Sequence, residues 1–168
     1  MALWRSSLAA TGARQRDKGA NMMGRVLATA LTGLVSPLGL SSSRAGDISN
    51  DGVVSLIRSE VGRRSAHINL ARLGADWDGV RVIGPYTPAA KLPPMFARDP
   101  GVIRSRIDRR DDITILAFWR GGQVASVVQV PRAVLDLSPV SDQRIQRGQC
   151  IMINADGAPR ATAIAECP

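Results

Sequence analysis

The spacing of apolar positions along the chain predicts one helix and a series of short strands. In residues 51–62 (DGVVSLIRSEVG), Val53, Val54, Leu56, Ile57 and Val61 recur at helical spacing and give one apolar face. Asp51 stands where an N-cap would, and Gly62 where the helix would stop. Residues 66–73 set Ile68 and Leu70 two apart, which predicts a strand closed by Gly74. Val80, Val82 and Ile83 form a short β-run between Asp78-Gly79 and Gly84-Pro85. Residues 89–97 suit a broken helical turn limited by Pro93 and Pro94, and the charged stretch 98–112 reads as loop.

Two β-rich runs follow, 113–119 and 123–130, joined through Arg120-Gly121-Gly122 as a hairpin, with Pro131 stopping the second. Residues 133–148 read as a polar connection of no assigned form. Residues 149–166 predict a last hairpin turning near Ala158-Pro159. Together these elements make an α+β domain: one N-terminal helix packed on a mostly antiparallel sheet of about five or six strands.

Ahead of that domain the pattern changes. Residues 1–21 are basic and show no hydrophobic period, and residues 26–40 form an apolar run of about 15 residues containing Pro37. Ser43 and Ala45 then place small residues just before Gly46. A positive start, an apolar core of this length and a small-x-small exit are the layout of a secretory signal peptide. The expected organisation is a targeting segment over 1–45, with its core at 26–40, and a single α+β domain over 46–168. Beginning at Met22 or Met23 would give a more ordinary signal peptide. The alternatives are a buried helix, disfavoured because the run lacks a polar face, and an uncleaved N-terminal membrane anchor. No Arg-Arg pair precedes the run and no Cys lies near Ala45, so neither the twin-arginine route nor lipoprotein acylation is indicated.

Composition matters mainly through where the charge sits. The formal charge is +8, with a pI of about 11.1, which invites a nucleic-acid reading. Residues 1–45, however, hold six basic groups against one acidic, a net +5. The sixteen basic and thirteen acidic groups that remain leave +3. In 98–112 five Arg face four Asp with no aromatics between them for base stacking, which suits a solvated, self-paired segment.

Cys150 and Cys167 flank the last predicted hairpin, which would bring them opposite one another. A structural disulfide is the expectation, and an exported compartment would let it persist. Two buried thiols are the alternative. A metal pair is disfavoured because His67 is the single histidine.

One segment resembles a known group. Trp77-Asp78-x-x-Arg81-Val82-x-Gly84-Pro85-Tyr86-Thr87, followed by a hairpin containing Leu116-Ala117-Phe118, is similar to a W-[DE]…GPY-[TS] segment. That segment is shared by small bacterial exported proteins and lipoproteins without an established activity. The resemblance covers roughly residues 65–132. It implies an exported bacterial protein and supplies no catalytic residues; the lipidation cysteine of the lipoprotein members is missing here.

Candidate chemistry is sparse. Trp77, Asp78 and Tyr86 are the candidate ligand-binding residues, against a packing role in which Trp77 fills the core and Tyr86 bonds a backbone group. Asp76 and Asp78, two apart on an extended strand, share a face opposite Trp77 and point to solvent. Capping the Gly79 turn is the expected task of Asp78. An envelope hydrolase using Asp76, Asp78 or His67 is the catalytic alternative, although no nucleophile elbow accompanies them. Asp47-x-Ser49-x-Asp51-Gly52 begins like a calcium loop, but its twelfth position is Arg58 in place of a bidentate Glu. No cofactor fingerprint or metal set is legible. The expected function is a small exported, non-catalytic binding domain for an unidentified envelope protein or ligand, with the Tyr86 turn and the charged 98–112 loop as its contact surface, no nucleic acid as partner and no membrane span once processed. A basic nucleic-acid binder is the remaining alternative.

Overall fold

A computed structural model describes residues 47–168. The predicted targeting segment lies outside the described residues. The first element, α1 (Asn50–Gly62), buries Val53, Val54, Ile57 and Glu60 along one face. Its N-cap is Ser49, whose Oγ accepts the Gly52 N–H at 3.0 Å. Asp51, expected as the cap, sits in the first turn instead, where a carboxylate meets the positive end of the helix dipole.

The strand expected over 66–73 shortens to β1 (His67–Ile68). Asn69 explains the change: its side chain accepts the Ala71 N–H at 2.9 Å and starts a 3-10 turn over Leu70–Leu73. Local capping by an Asn side chain competes with the strand ladder and wins here. Gly74, at φ +67°, closes the turn.

The remaining elements are β2 (Gly79–Ile83), two short helices α2 (Pro94–Ala97) and α3 (Pro100–Ser105), β3 (Ile113–Arg120), β4 (Gln123–Pro131), β5 (Arg144–Gln146), β6 (Gln149–Asn154) and β7 (Arg160–Glu166). The expected loop at 98–112 is therefore helical over Pro100–Ser105 and continues as a 3-10 turn over Ile107–Arg109. Asp99 accepts the N–H groups of Gly101 and Val102 at 2.8 and 3.1 Å, and Pro100 occupies the first helical position. In the β3–β4 hairpin, Arg120 pairs with Gln123 and both intervening glycines have positive φ, +56° and +75°. That is the turn a tight hairpin demands.

The architecture is α+β, but the strands form two antiparallel sheets in place of the single expected one. They run β4-β3-β2-β5 and β1-β6-β7. The division falls at Gly148, at φ +89°, between β5 and β6. The four-stranded sheet is buried on both faces. Val80, Val82, Leu116, Phe118, Val128, Val130 and Ile145 join α1 and the three-stranded sheet in one core. On the other face Ile83, Ile113, Ile115 and Ala117 meet Leu92, Phe96, Val102 and Ile107 from the helical segment. The start of α1 and the residues just before it cover the β4 edge: Asn50 Oδ1 accepts the Gln129 N–H, and the Ser126 hydroxyl donates to the Ile48 carbonyl, both at 2.8 Å.

Residues 133–148 are not a polar connection either, since Leu135, Leu137 and Val140 are fully buried. Asp136 fixes their path. Its backbone bridges to Arg160 at the start of β7, and its carboxylate meets Arg132 at 3.1 Å and Arg160 at 3.7 Å. Burial alone would raise the Asp136 pKa. The Arg132 guanidinium and the Ser138 N–H, which donates to Asp136 Oδ1 at 3.1 Å, outweigh it and hold the carboxyl at about 2. Glu60 on α1 is handled similarly: the Ser65 hydroxyl, with Arg72 and Arg63, holds it below the usual carboxylate range against the effect of burial.

Cys150 and Cys167 lie at disulfide distance, with sulfurs 2.02 Å and Cα atoms 5.0 Å apart. No helix among the described residues is long and apolar enough to cross a membrane.

Candidate functional site

The segment entering β2 alternates faces as an extended chain must, with Ala75 and Trp77 buried and Asp76 and Asp78 exposed. Trp77 is 1% exposed and packs edge-on against Phe118 at 5.9 Å. The Arg147 guanidinium lies over its ring at 5.4 Å and donates to the carbonyls of Trp77 and Ala75. This indole belongs to the core and presents no open face to a ligand.

Asp78 caps a turn, but not the one at Gly79. Its Oδ2 accepts the Gly121 N–H at 2.7 Å, and its own N–H donates to the Trp119 carbonyl at 2.8 Å, so it pins the tip of the β3–β4 hairpin. Asp76 is engaged by Arg147 at 3.3 Å and Arg120 at 3.8 Å. His67 stands in the other sheet, opposite Met152. The hydrolase trio is thus divided between two sheets, with both carboxylates in contacts that hold the structure.

Tyr86 lies beyond the far end of β2, separated from Asp78 by about 16 Å of strand. Its side chain is 60% exposed and its backbone sits at φ +56°. The expected backbone bond is made by its N–H, which donates to the Ile107 carbonyl at 2.8 Å. Among the described residues its hydroxyl makes no hydrogen bond. Trp77, Asp78 and Tyr86 therefore do not line a common site.

A different concavity begins at Thr87, the residue after Tyr86. An apolar groove of about 220 Å³ is lined by Leu92, Val102, Ile103 and Ile107, with Thr87 and Asp108 among its polar members. Ile103 is 59% exposed; it and Tyr86 are the large apolar side chains left exposed among the described residues. Sequence reading missed the groove because three separate segments build it. The one available signal was Asp99-Pro100, a cap and first-turn pair announcing α3.

No family model, curated protein or solved structure gives a significant match to the chain.

The basic groups around the groove are only partly self-paired. Arg109 meets Asp108 at 3.5 Å and Arg110 meets Asp112 at 2.5 Å. Lys91, Arg98, Arg104 and Arg106 are exposed and make no ion pair among the described residues. Within the same residues, no three His, Cys, Asp or Glu side chains stand together as a metal set. An apolar groove with a cationic surround can hold a ligand or a partner side chain, and among the described residues beside it none pairs a nucleophile with a base.

Proposed function

We propose that this chain is a small exported binding domain without catalytic machinery, and that its contact surface is the Tyr86 turn together with the grooved segment 98–112. One observation carries the reading: of the two exposed large apolar side chains, Ile103 lines the apolar groove, and Tyr86 precedes the lining Thr87 with its N–H bonded to the carbonyl of the lining Ile107. Exposed apolar groups scattered singly need no explanation, but their grouping at a groove marks a contact site. The Tyr86 backbone adds weight. A non-glycine residue in the left-handed region costs about 1–2 kcal/mol, and an exposed aromatic returns little of that through packing.

Export rests on the pattern of residues 1–45, on the resemblance to small exported bacterial proteins, and on a cysteine pair at disulfide distance, which suits an oxidising compartment. The partner is an envelope protein or ligand that presents an apolar group.

The test is capture from envelope extract by the full chain and by three variants. Ile103→Glu and Tyr86→Ser should each reduce the captured partner by ~10-fold, as loss of one buried apolar anchor does. Thr162→Glu, on the exposed face of β7, should leave capture unchanged. Equal capture by all four proteins would contradict the assignment of this surface.

A further inference from the structure

The groove that begins at Thr87 offers an occupant apolar surface and few hydrogen bonds. The N–H groups of its lining residues Leu92, Ala97, Val102, Ile103 and Ile107 are all bonded within the chain. The Thr87 hydroxyl donates to the Gly84 carbonyl at 2.8 Å, and the Asp108 carboxylate is paired with Arg109. A peptide held by its backbone needs free donors along the site, whereas a hydrocarbon chain needs none. The volume, about 220 Å³, is below the roughly 300–1,000 Å³ of sites that enclose a whole small molecule. The groove therefore takes part of an apolar chain and leaves the rest of the occupant outside.

Outside the groove that occupant meets positive charge. Lys91, Arg98, Arg104 and Arg106 are exposed, and each is the sequence neighbour of a lining residue. Residues 86–112 hold six basic groups against four acidic, and the rest of 46–168 holds ten against nine, so most of the domain's excess charge lies here. Of the four acids, Asp99 faces the N–H groups of α3, and Asp108 and Asp112 are paired with Arg109 and Arg110. Ile103 stands exposed among these cations while lining the groove. Aliphatic groups that reach an acyl boundary, flanked by long cationic side chains that stay with the headgroups, make an interfacial membrane contact.

We propose that this face docks the protein on an anionic lipid bilayer. Ile103 enters the boundary between headgroups and acyl chains, an acyl segment fills the groove, and the four cations lie among the lipid phosphates. The inference rests on the binding-domain reading and names the partner of its surface.

The experiment is nuclear magnetic resonance on the full chain, titrated with bicelles that carry a spin-labelled lipid. The bicelles are phosphatidylcholine alone, or phosphatidylcholine mixed with phosphatidylglycerol. In the anionic bicelles the amide signals of residues 102–107 should broaden. That of Thr162 should persist, because β7 packs against the opposite face of the four-stranded sheet. Phosphatidylcholine alone should broaden neither. Each cation is worth about 5-fold in affinity for an anionic surface, so the double variant Lys91→Gln/Arg98→Gln should weaken association ~30-fold. Ile103→Glu should weaken it ~10-fold or more. Broadening of both faces alike, as tethering through residues 1–45 alone would give, would overturn the proposal. So would equal broadening in the two lipids, or unchanged affinity in either variant. If residues 102–107 stay sharp in both lipids while capture from envelope extract still depends on Ile103, the bilayer is the wrong partner and the surface binds a protein. If capture is independent of Ile103 as well, the surface assignment falls with it.

Discussion

Gly79 is the position where a single methyl group should be felt most sharply. It pairs with Trp119 across the β2–β3 ladder, and the indole lies over it. A Cβ built on Gly79 would fall 2.3 Å from Cζ2 and 2.5 Å from Cη2 of that ring. Carbon atoms rest at about 3.5–4.0 Å, so the ring would have to retreat by about 1 Å. Its retreat is opposed by Phe96, which meets the ring edge-on at 5.9 Å. Overpacking of this kind costs about 1–3 kcal/mol. Against it stands the entropy that alanine removes from the unfolded chain, about 0.4–1 kcal/mol. The 2.3 Å approach places the clash in the upper half of that range, so Gly79→Ala should lose about 1–2.5 kcal/mol, read as a lower midpoint in urea unfolding with an unchanged slope. Far-UV circular dichroism is the proper probe, because a companion variant removes one of the three tryptophans. In a Trp119→Leu background the same alanine should cost nothing or stabilise slightly, giving a coupling of about 1 kcal/mol or more. A Gly79→Ala protein as stable as its parent would refute the packing of Trp119 against the β2 backbone.

Asp136 has a pKa depressed from 3.8 to about 2, so its contribution is complete above pH 4 and is lost as pH falls toward 2. Acid titration of unfolding stability should show a loss of up to about 2 kcal/mol across that window, and Asp136→Asn should flatten it. Reducing the Cys150–Cys167 pair, which closes a sequence separation of 17, should cost about 3 kcal/mol in the same unfolding assay; an unchanged midpoint would mean that no bond constrains the unfolded chain. Tyr86→Gly should raise stability by up to about 1 kcal/mol by relieving φ +56°, while reducing partner capture ~10-fold as Tyr86→Ser does. A large loss of stability in its place would show that Tyr86 is a packing residue.

The parts of the fold legible in the sequence are those determined locally. Glycines at 121 and 122 and the Asp156-Gly157 turn mark two hairpins, and β2 is bounded by its own turn residues. Features that depend on distant partners were not legible. Which strands share a sheet is not encoded in alternation, and β5 is three residues long. Leu135, Leu137 and Val140 follow no period, because the backbone of Asp136 at β7, and not a regular element, holds them in the core. At the candidate site, the burial of Trp77 and the outward faces of Asp76 and Asp78 follow from alternation. The partner of Asp78 lies 43 residues away, and that contact had no local signal. The groove has no local signature, because the charges of 98–112 mask the few apolar residues of α3.

The central claim, that this is an exported domain closed by a disulfide, is tested most directly by intact-mass measurement on the chain recovered from fractionated cells. The account predicts recovery from the envelope or medium, an N-terminus at Gly46 and a mass two hydrogens below that of the dithiol. A cytosolic chain that retains residues 1–45 and carries two free thiols would contradict it.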